Sequence, residues 1–135
     1  MSAEAFFDTN VLIYALAQDD PRTAAAEQLL RDGGVVSVQV LNEFVSVARR
    51  KLGLAWPEVV EALAAVATLC GPPSPLTADV HDAAVDLARA HDLNIYDALI
   101  LASALGQDCT VLYSEDLQDG RRFDRRLTVR NPFAG

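Results

Sequence analysis

The chain has 135 residues, 51% of them hydrophobic and 22% charged, an ordinary globular mix that excludes a disordered tail or a collagen-like rod and fits one domain, 1–135. A chain of this length buries roughly two-thirds of its unfolded surface, so any metal it carries is functional rather than a structural staple. Acids outnumber bases 19 to 11, for a formal net charge of −8, which argues against gripping nucleic acid by bulk charge.

Ala5-Phe6-Phe7 is a short apolar run ending at Asp8 and reads as a buried strand. A short helix follows over Asn10–Ala17, and Pro21 opens a second that carries Ala24–Leu30. Gly33-Gly34 breaks the pattern before a second strand, Val35–Ser37. Between Gln39 and Leu52 the apolar positions Val40, Phe44, Val47 and Ala48 recur at helical spacing. Pro57 suits the first turn of a helix running to about Cys70. Gly71-Pro72-Pro73-Ser74-Pro75 is a loop, and a third short strand is expected at Leu76. Helices Asp79–His91 and Tyr96–Leu105 come next, the latter stopped by Gly106. Thr110–Tyr113 is the fourth strand, Asp116–Gln118 at most one turn, and Leu127–Val129 the last strand. Short strands alternating with helices specify an α/β fold whose parallel sheet is covered on both faces, with ligands beyond the carboxyl ends of the strands.

No basic residue precedes Arg22, and Asp8 and Asn10 interrupt the first apolar run, so no secretory signal is expected. The longest apolar stretch, Ala62–Cys70, is far short of the ~20 residues of a membrane span. The chain reads as cytoplasmic, with Cys70 and Cys109 as reduced packing residues.

The strand ends bring acids to one rim. Asp8 ends the first strand, Asp116 lies three residues after the fourth, and Asp97 sits in the first turn of its helix. Glu43 is about one turn inside its helix, on the margin of the Val40, Phe44, Val47 stripe, and helical side chains lean back toward the N-terminus. Each acid also has a simpler reading. Asp8, Asp97 and Asp116 could cap helices or turns, and Glu43 could pair with Arg49 or Arg50. Were all four to converge at about 5 Å, each pair would cost about 3 kcal/mol at an effective dielectric near 20, and the set ~20 kcal/mol. That exceeds the net stability of a typical domain, about 5–15 kcal/mol. Such a site takes up protons or cations, and hard oxygen ligands without His or Cys favour Mg²⁺ or Mn²⁺ over zinc. Eight of the eleven cations fall in two blocks, Arg49-Arg50-Lys51 and Arg121 to Arg130. They read either as solvated faces or as a phosphate-binding rim that includes Arg49, Arg50, Arg121 and Arg122.

Asp8-Thr9-Asn10 after an apolar strand, Glu43 in a helix, Tyr96-Asp97-Ala98-Leu99-Ile100 and Ser114-Glu115-Asp116-Leu117, in this order, resemble a PIN-domain ribonuclease. The closing Asn131-Pro132-Phe133 is similar to the VapC toxin branch of that family. The resemblance implies a three-layer α/β/α sandwich with a short, mainly parallel sheet and Mg²⁺- or Mn²⁺-dependent endonucleolytic cleavage of RNA. It makes Asp8, Glu43, Asp97 and Asp116 the catalytic, metal-holding quartet, with Asn10 and Ser114 as accessory groups. It also implies a homodimer inhibited by a VapB-like antitoxin. Asp116 rather than Glu115 fits the Ser-x-Asp pattern, and Leu52–Asp92 matches no family motif.

Three other readings stay in view. An imidazole ribonuclease would need two groups at one phosphate, but His81 and His91 lie about 80° out of phase on one predicted helix. A phosphotransfer domain using Asp8 as nucleophile would want a lysine nearby, and the sole lysine, Lys51, falls at the far end of its helix. A non-catalytic metal- or partner-binding module could use the apolar helices Val40–Val47 and Val59–Leu69 as a docking surface.

Overall fold

A computed structural model describes residues 4–17 and 19–134; residues 1–3 and 135, the ends of the expected 1–135 domain, lie outside them. The elements run β1 (Ala5–Phe7), α1 (Thr9–Leu16), α2 (Thr23–Asp32), α3 (Val38–Arg50), α4 (Trp56–Cys70), α5 (Ala78–His91), α6 (Ile95–Gly106), β2 (Val111–Tyr113), β3 (Arg122–Phe123) and β4 (Leu127–Arg130). All six helices fall within a residue or two of the boundaries expected from periodicity and punctuation.

Local chemistry explains those boundaries. The Asp8 carboxylate accepts the Thr9 N–H at 2.7 Å, while the Ser37, Thr77 and Asn94 side chains cap α3, α5 and α6 by each accepting the N–H three residues on. Pro57 sits in the first turn of α4, where Glu58 accepts the Ala55 N–H at 3.0 Å. Gly33 closes α2 at φ 98°, a conformation that favours glycine. Its neighbour Gly34 is needed for a different reason. A Cβ there would meet the Phe7 ring at 2.6 Å and the Ala5 carbonyl at 2.9 Å.

The sheet has the order β1-β2-β4-β3, with β1, β2 and β4 parallel and β3 antiparallel to β4. Consecutive residues of a strand face opposite sides, yet Phe6 and Phe7 are both fully buried. Helices therefore cover both faces, giving the expected α/β/α arrangement. The buried core joins Phe6, Phe7, Leu112, Leu127 and Val129 of the sheet to Val11, Val40, Phe44, Val59 and Leu101 of the helices. Helix α6 is buried on every side from Ala98 to Ala104. Ile100, Leu101 and Ala104 join that core, while Ala98, Leu99 and Ala102 pack with Ala84 of α5.

Neither of two expected strands forms, and isolated bridges take their place. Val35–Ser37 contributes one bridge from Val35 to Phe6 and another from Ser37 to Ser74. No strand forms at Leu76, which is exposed; Ser74 makes the bridge instead. Pro72, Pro73 and Pro75 supply no N–H donors, so the segment cannot extend a ladder. Strand β3 has no counterpart among the expected elements, because two residues carry no periodicity.

Candidate active site

Because β1, β2 and β4 are parallel, Asp8, Ser114 and Asn131 all emerge at one edge of the sheet. The ladder continues one step beyond the strands, with Asp8 N–H donating to the Tyr113 carbonyl and Ser114 N–H to the Arg130 carbonyl, both at 3.0 Å. This edge carries the site.

Asp8 is 3% exposed and both of its oxygens are engaged. Oδ1 takes the Thr9 N–H, and Oδ2 accepts the Ser114 hydroxyl at 2.6 Å. The capping role and the site role thus coexist in one side chain. Ser114 is fully buried, and its oxygen also accepts the Asp116 N–H at 3.1 Å, so it links Asp8 to Asp116. Asn10 donates to Asp116 Oδ2 at 3.4 Å. Asp97 accepts from Asn94 Nδ2 at 2.8 Å while Asn94 caps the Asp97 N–H, a reciprocal pair in the first turn of α6. Glu43 has no ion pair with Arg49 or Arg50 among the described residues, and its Oε2 is buried without a hydrogen-bond partner.

The four carboxylates sense one another. Burial and then the charges of Asp8 and Asp97 push Glu43 up to about 7, with Asp116 adding to the effect. Burial pushes Asp8 up to about 6 against the hydrogen bonds from Ser114 and Thr9, with Asp116 and Asp97 reinforcing the rise. Asp97 is raised by burial, opposed by Asn94 and aided by Asp116. The acids do not close into a cage, since among the described residues no three carboxylate, imidazole or thiol groups stand together as a ready ion site. The donor set nevertheless fits a hard cation. Its atoms are all oxygens, and Glu43 Oε2, Asn10 Oδ1 and Thr9 Oγ1 are buried with no partner.

A cleft of about 240 Å³ opens here, lined by Thr9, Asn10, Ile13, Tyr14, Glu43, Val47, Lys51 and Asp116. Neither His81 nor His91 lines it; His91 packs edge-on against Phe123. Glu115 faces another way, accepting the Tyr14 hydroxyl and lying 3.8 Å from Arg22. Arg22 in turn stacks on the Tyr14 ring and forms a two-pronged pair with Asp20.

The chain's motifs extend over most of this framework, and the sequence profile of the PIN domain matches residues 5–125. The chain belongs to the PIN domain family. Three solved structures share its PIN fold. A toxin–antitoxin complex from Klebsiella pneumoniae aligns with a TM-score of 0.71 at 23% identity, over 96% of this chain and 98% of that one. VapC20 of Mycobacterium tuberculosis, a toxin that cleaves the sarcin–ricin loop, aligns at 0.67 and 24%, over 82% and 88%. VapBC2 of Rickettsia felis, bound to a DNA fragment from its promoter, aligns at 0.68 and 17%, over 94% and 97%. No curated protein matches the chain.

Within this PIN fold the cationic residues divide. Arg49 donates to the Leu54 carbonyl at 2.9 Å and lies over Trp56, tying down the loop before α4. Arg50 is exposed, its closest tie the Ser46 carbonyl at 3.5 Å. Arg121 lies over Phe123, and Arg122 donates to the Arg125 carbonyl at 2.6 Å. Arg122 begins, and Arg121 immediately precedes, the strand farthest from β1, three strand spacings or roughly 14 Å along the sheet. Tyr14 and Lys51 are cleft residues that sequence reasoning did not assign. The available signal was spacing, because Asn10 and Tyr14 are four apart on α1, and Glu43, Val47 and Lys51 are four apart on one face of α3. Lys51 caps the C-terminal end of α3, and it still lines the cleft.

Proposed function

We propose that this PIN domain is a Mg²⁺- or Mn²⁺-dependent endoribonuclease and the toxin member of a VapBC-type toxin–antitoxin pair, acting in the cytoplasm as a homodimer. One observation carries the reading: four acids from four separate segments share a single rim, where Glu43 Oε2 is buried and unpartnered and the proton affinities of Asp8, Glu43 and Asp97 are raised. Carboxylates so placed are unstable as bare anions and repel a phosphodiester. A divalent cation, when bound, supplies the compensating charge and acidifies the attacking water. Asp8, Asp97 and Asp116 would hold it, and Glu43 would share in this or orient the water. Ser114 fixes Asp8 and the Asp116 backbone together, and Asn10 steadies the Asp116 carboxylate.

The partner proposal has its own support. A groove of about 210 Å³ is walled by Leu12, Leu16, Leu30, Val66 and Leu69, with Leu16 and Leu69 exposed. Two of the structures that share the fold are complexes of a toxin with its antitoxin. An amphipathic antitoxin helix suits such a groove. The neighbouring reading frame should encode it.

The deciding experiment uses purified protein and single-stranded RNA. Cleavage is expected with Mg²⁺ or Mn²⁺, lost in EDTA, and leaves 5′-phosphate and 3′-hydroxyl ends. Cleavage that persists in chelator, or 2′,3′-cyclic phosphate ends, would overturn the reading.

A further inference from the structure

Among the described residues, Lys51 is the one cation lining the acid cleft. It follows the last turn of α3, four residues after Val47 and eight after Glu43, so the three mark one strip of the cleft wall. Among the described residues no carboxylate forms an ion pair with it. Arg22 is engaged with Asp20 and Tyr14, and Arg49 with Leu54 and Trp56, while the exposed Arg50 is not among the residues lining the cleft. Ile13, Val47 and Tyr14 supply the apolar part of the cleft wall, with Val47 midway along α3 between Glu43 and Lys51.

Eight residues of helix span about 12 Å, and a lysine side chain leans back along that length. The ammonium is therefore too far away to join the acids around one ion, and near enough to meet the next phosphate of a strand held there. We propose that Lys51 holds the phosphate adjacent to the scissile one on single-stranded RNA, with the intervening nucleoside lying over Ile13 and Val47. This rests on the reading that RNA is the substrate of the acid cleft. An ammonium is a point charge that places no demand on base identity, so Lys51 sets affinity rather than sequence preference.

The test measures binding of a short single-stranded RNA by fluorescence anisotropy in Mg²⁺, with Glu43→Gln as the parent so that the strand stays intact. Adding Lys51→Gln should weaken binding about fivefold at low salt. It should also make the slope of log affinity against log salt shallower by about 0.7, the value for one phosphate no longer neutralised. Lys51→Arg should restore both. In the otherwise unaltered chain, Lys51→Gln should raise KM by a similar factor while kcat and the cleavage position stay as they were. An unchanged salt slope and KM would overturn the proposal. So would a variant whose sole change is tighter Mn²⁺ binding, since that would make Lys51 a charge-compensating neighbour of the acids. If the unaltered chain cuts no RNA with either metal, the underlying reading fails instead, which the Lys51 comparison alone would not produce.

Discussion

Replacing Glu43 by glutamine isolates the electrostatic load of the site. A carboxyl whose pKa rises from 4.5 to about 7 on folding destabilises the folded chain by about 3 kcal/mol once ionised. The sign follows from proton counts. Between pH 4.5 and about 7 the folded chain holds more protons than the unfolded one, so stability falls as pH rises through that window. Glutamine keeps the shape and removes the charge. In metal-free buffer at about pH 8, Glu43→Gln should therefore melt higher than the parent by about 10 °C, and the gain should vanish by about pH 4. Thermal melts followed by circular dichroism in EDTA across this range read the effect directly. Repeating them in Mn²⁺ adds a second arm: the parent should gain more from the ion than the variant, because the parent has the larger repulsion to relieve. A Glu43→Gln chain that melts with its parent at about pH 8, or higher by a pH-independent amount, would refute the idea that this carboxylate is held against its own charge.

Asp97→Asn should lower RNA cleavage at least ~100-fold, as expected when a charge that holds a catalytic cation is removed, while circular dichroism shows an intact fold; undiminished cleavage by the purified variant would remove Asp97 from the quartet. Gly34→Ala should destabilise the chain by about 1–3 kcal/mol in denaturant unfolding, because the new Cβ meets the Phe7 ring at 2.6 Å; an unshifted midpoint would show that the ring gives way freely. Arg121→Ala with Arg122→Ala should weaken RNA binding and make the salt slope shallower by ~0.7 for each phosphate that these arginines neutralise; an unchanged slope would assign both to the solvated face.

The site sets the limit on how far single-residue reasoning reaches. A short pattern favours Asp116 over Glu115, and in the structure the two acids meet different partners. Tyr14 and Arg22 engage Glu115, while Asn10 and the Ser114 hydroxyl engage Asp116. Tyr14 and Arg22 both lie far from Glu115 along the chain, so nothing local announces that meeting. Lys51 is the converse case. Distance along the helix suggests that it is remote, but its place four residues beyond Val47 keeps it on the cleft wall.

What the chain alone determines is what is decided within about four residues. Helix spans follow from apolar periodicity, their starts from Asp8, Ser37, Thr77 and Asn94, and their ends from glycines such as Gly33 and Gly71. The acids and their order along the chain are likewise plain in the sequence. Tertiary structure decided the rest: the strand order β1-β2-β4-β3, the reduction of Val35–Ser37 to isolated bridges, and the placing of Ser114 against Asp8 across 106 positions. Burial is also a tertiary property, and burial is what lifts the proton affinities of Asp8 and Glu43. A carboxylate's partners in space depend on which strands pair and which helices cover them. Local propensities do not encode that choice, because it arises only when distant apolar faces are buried together.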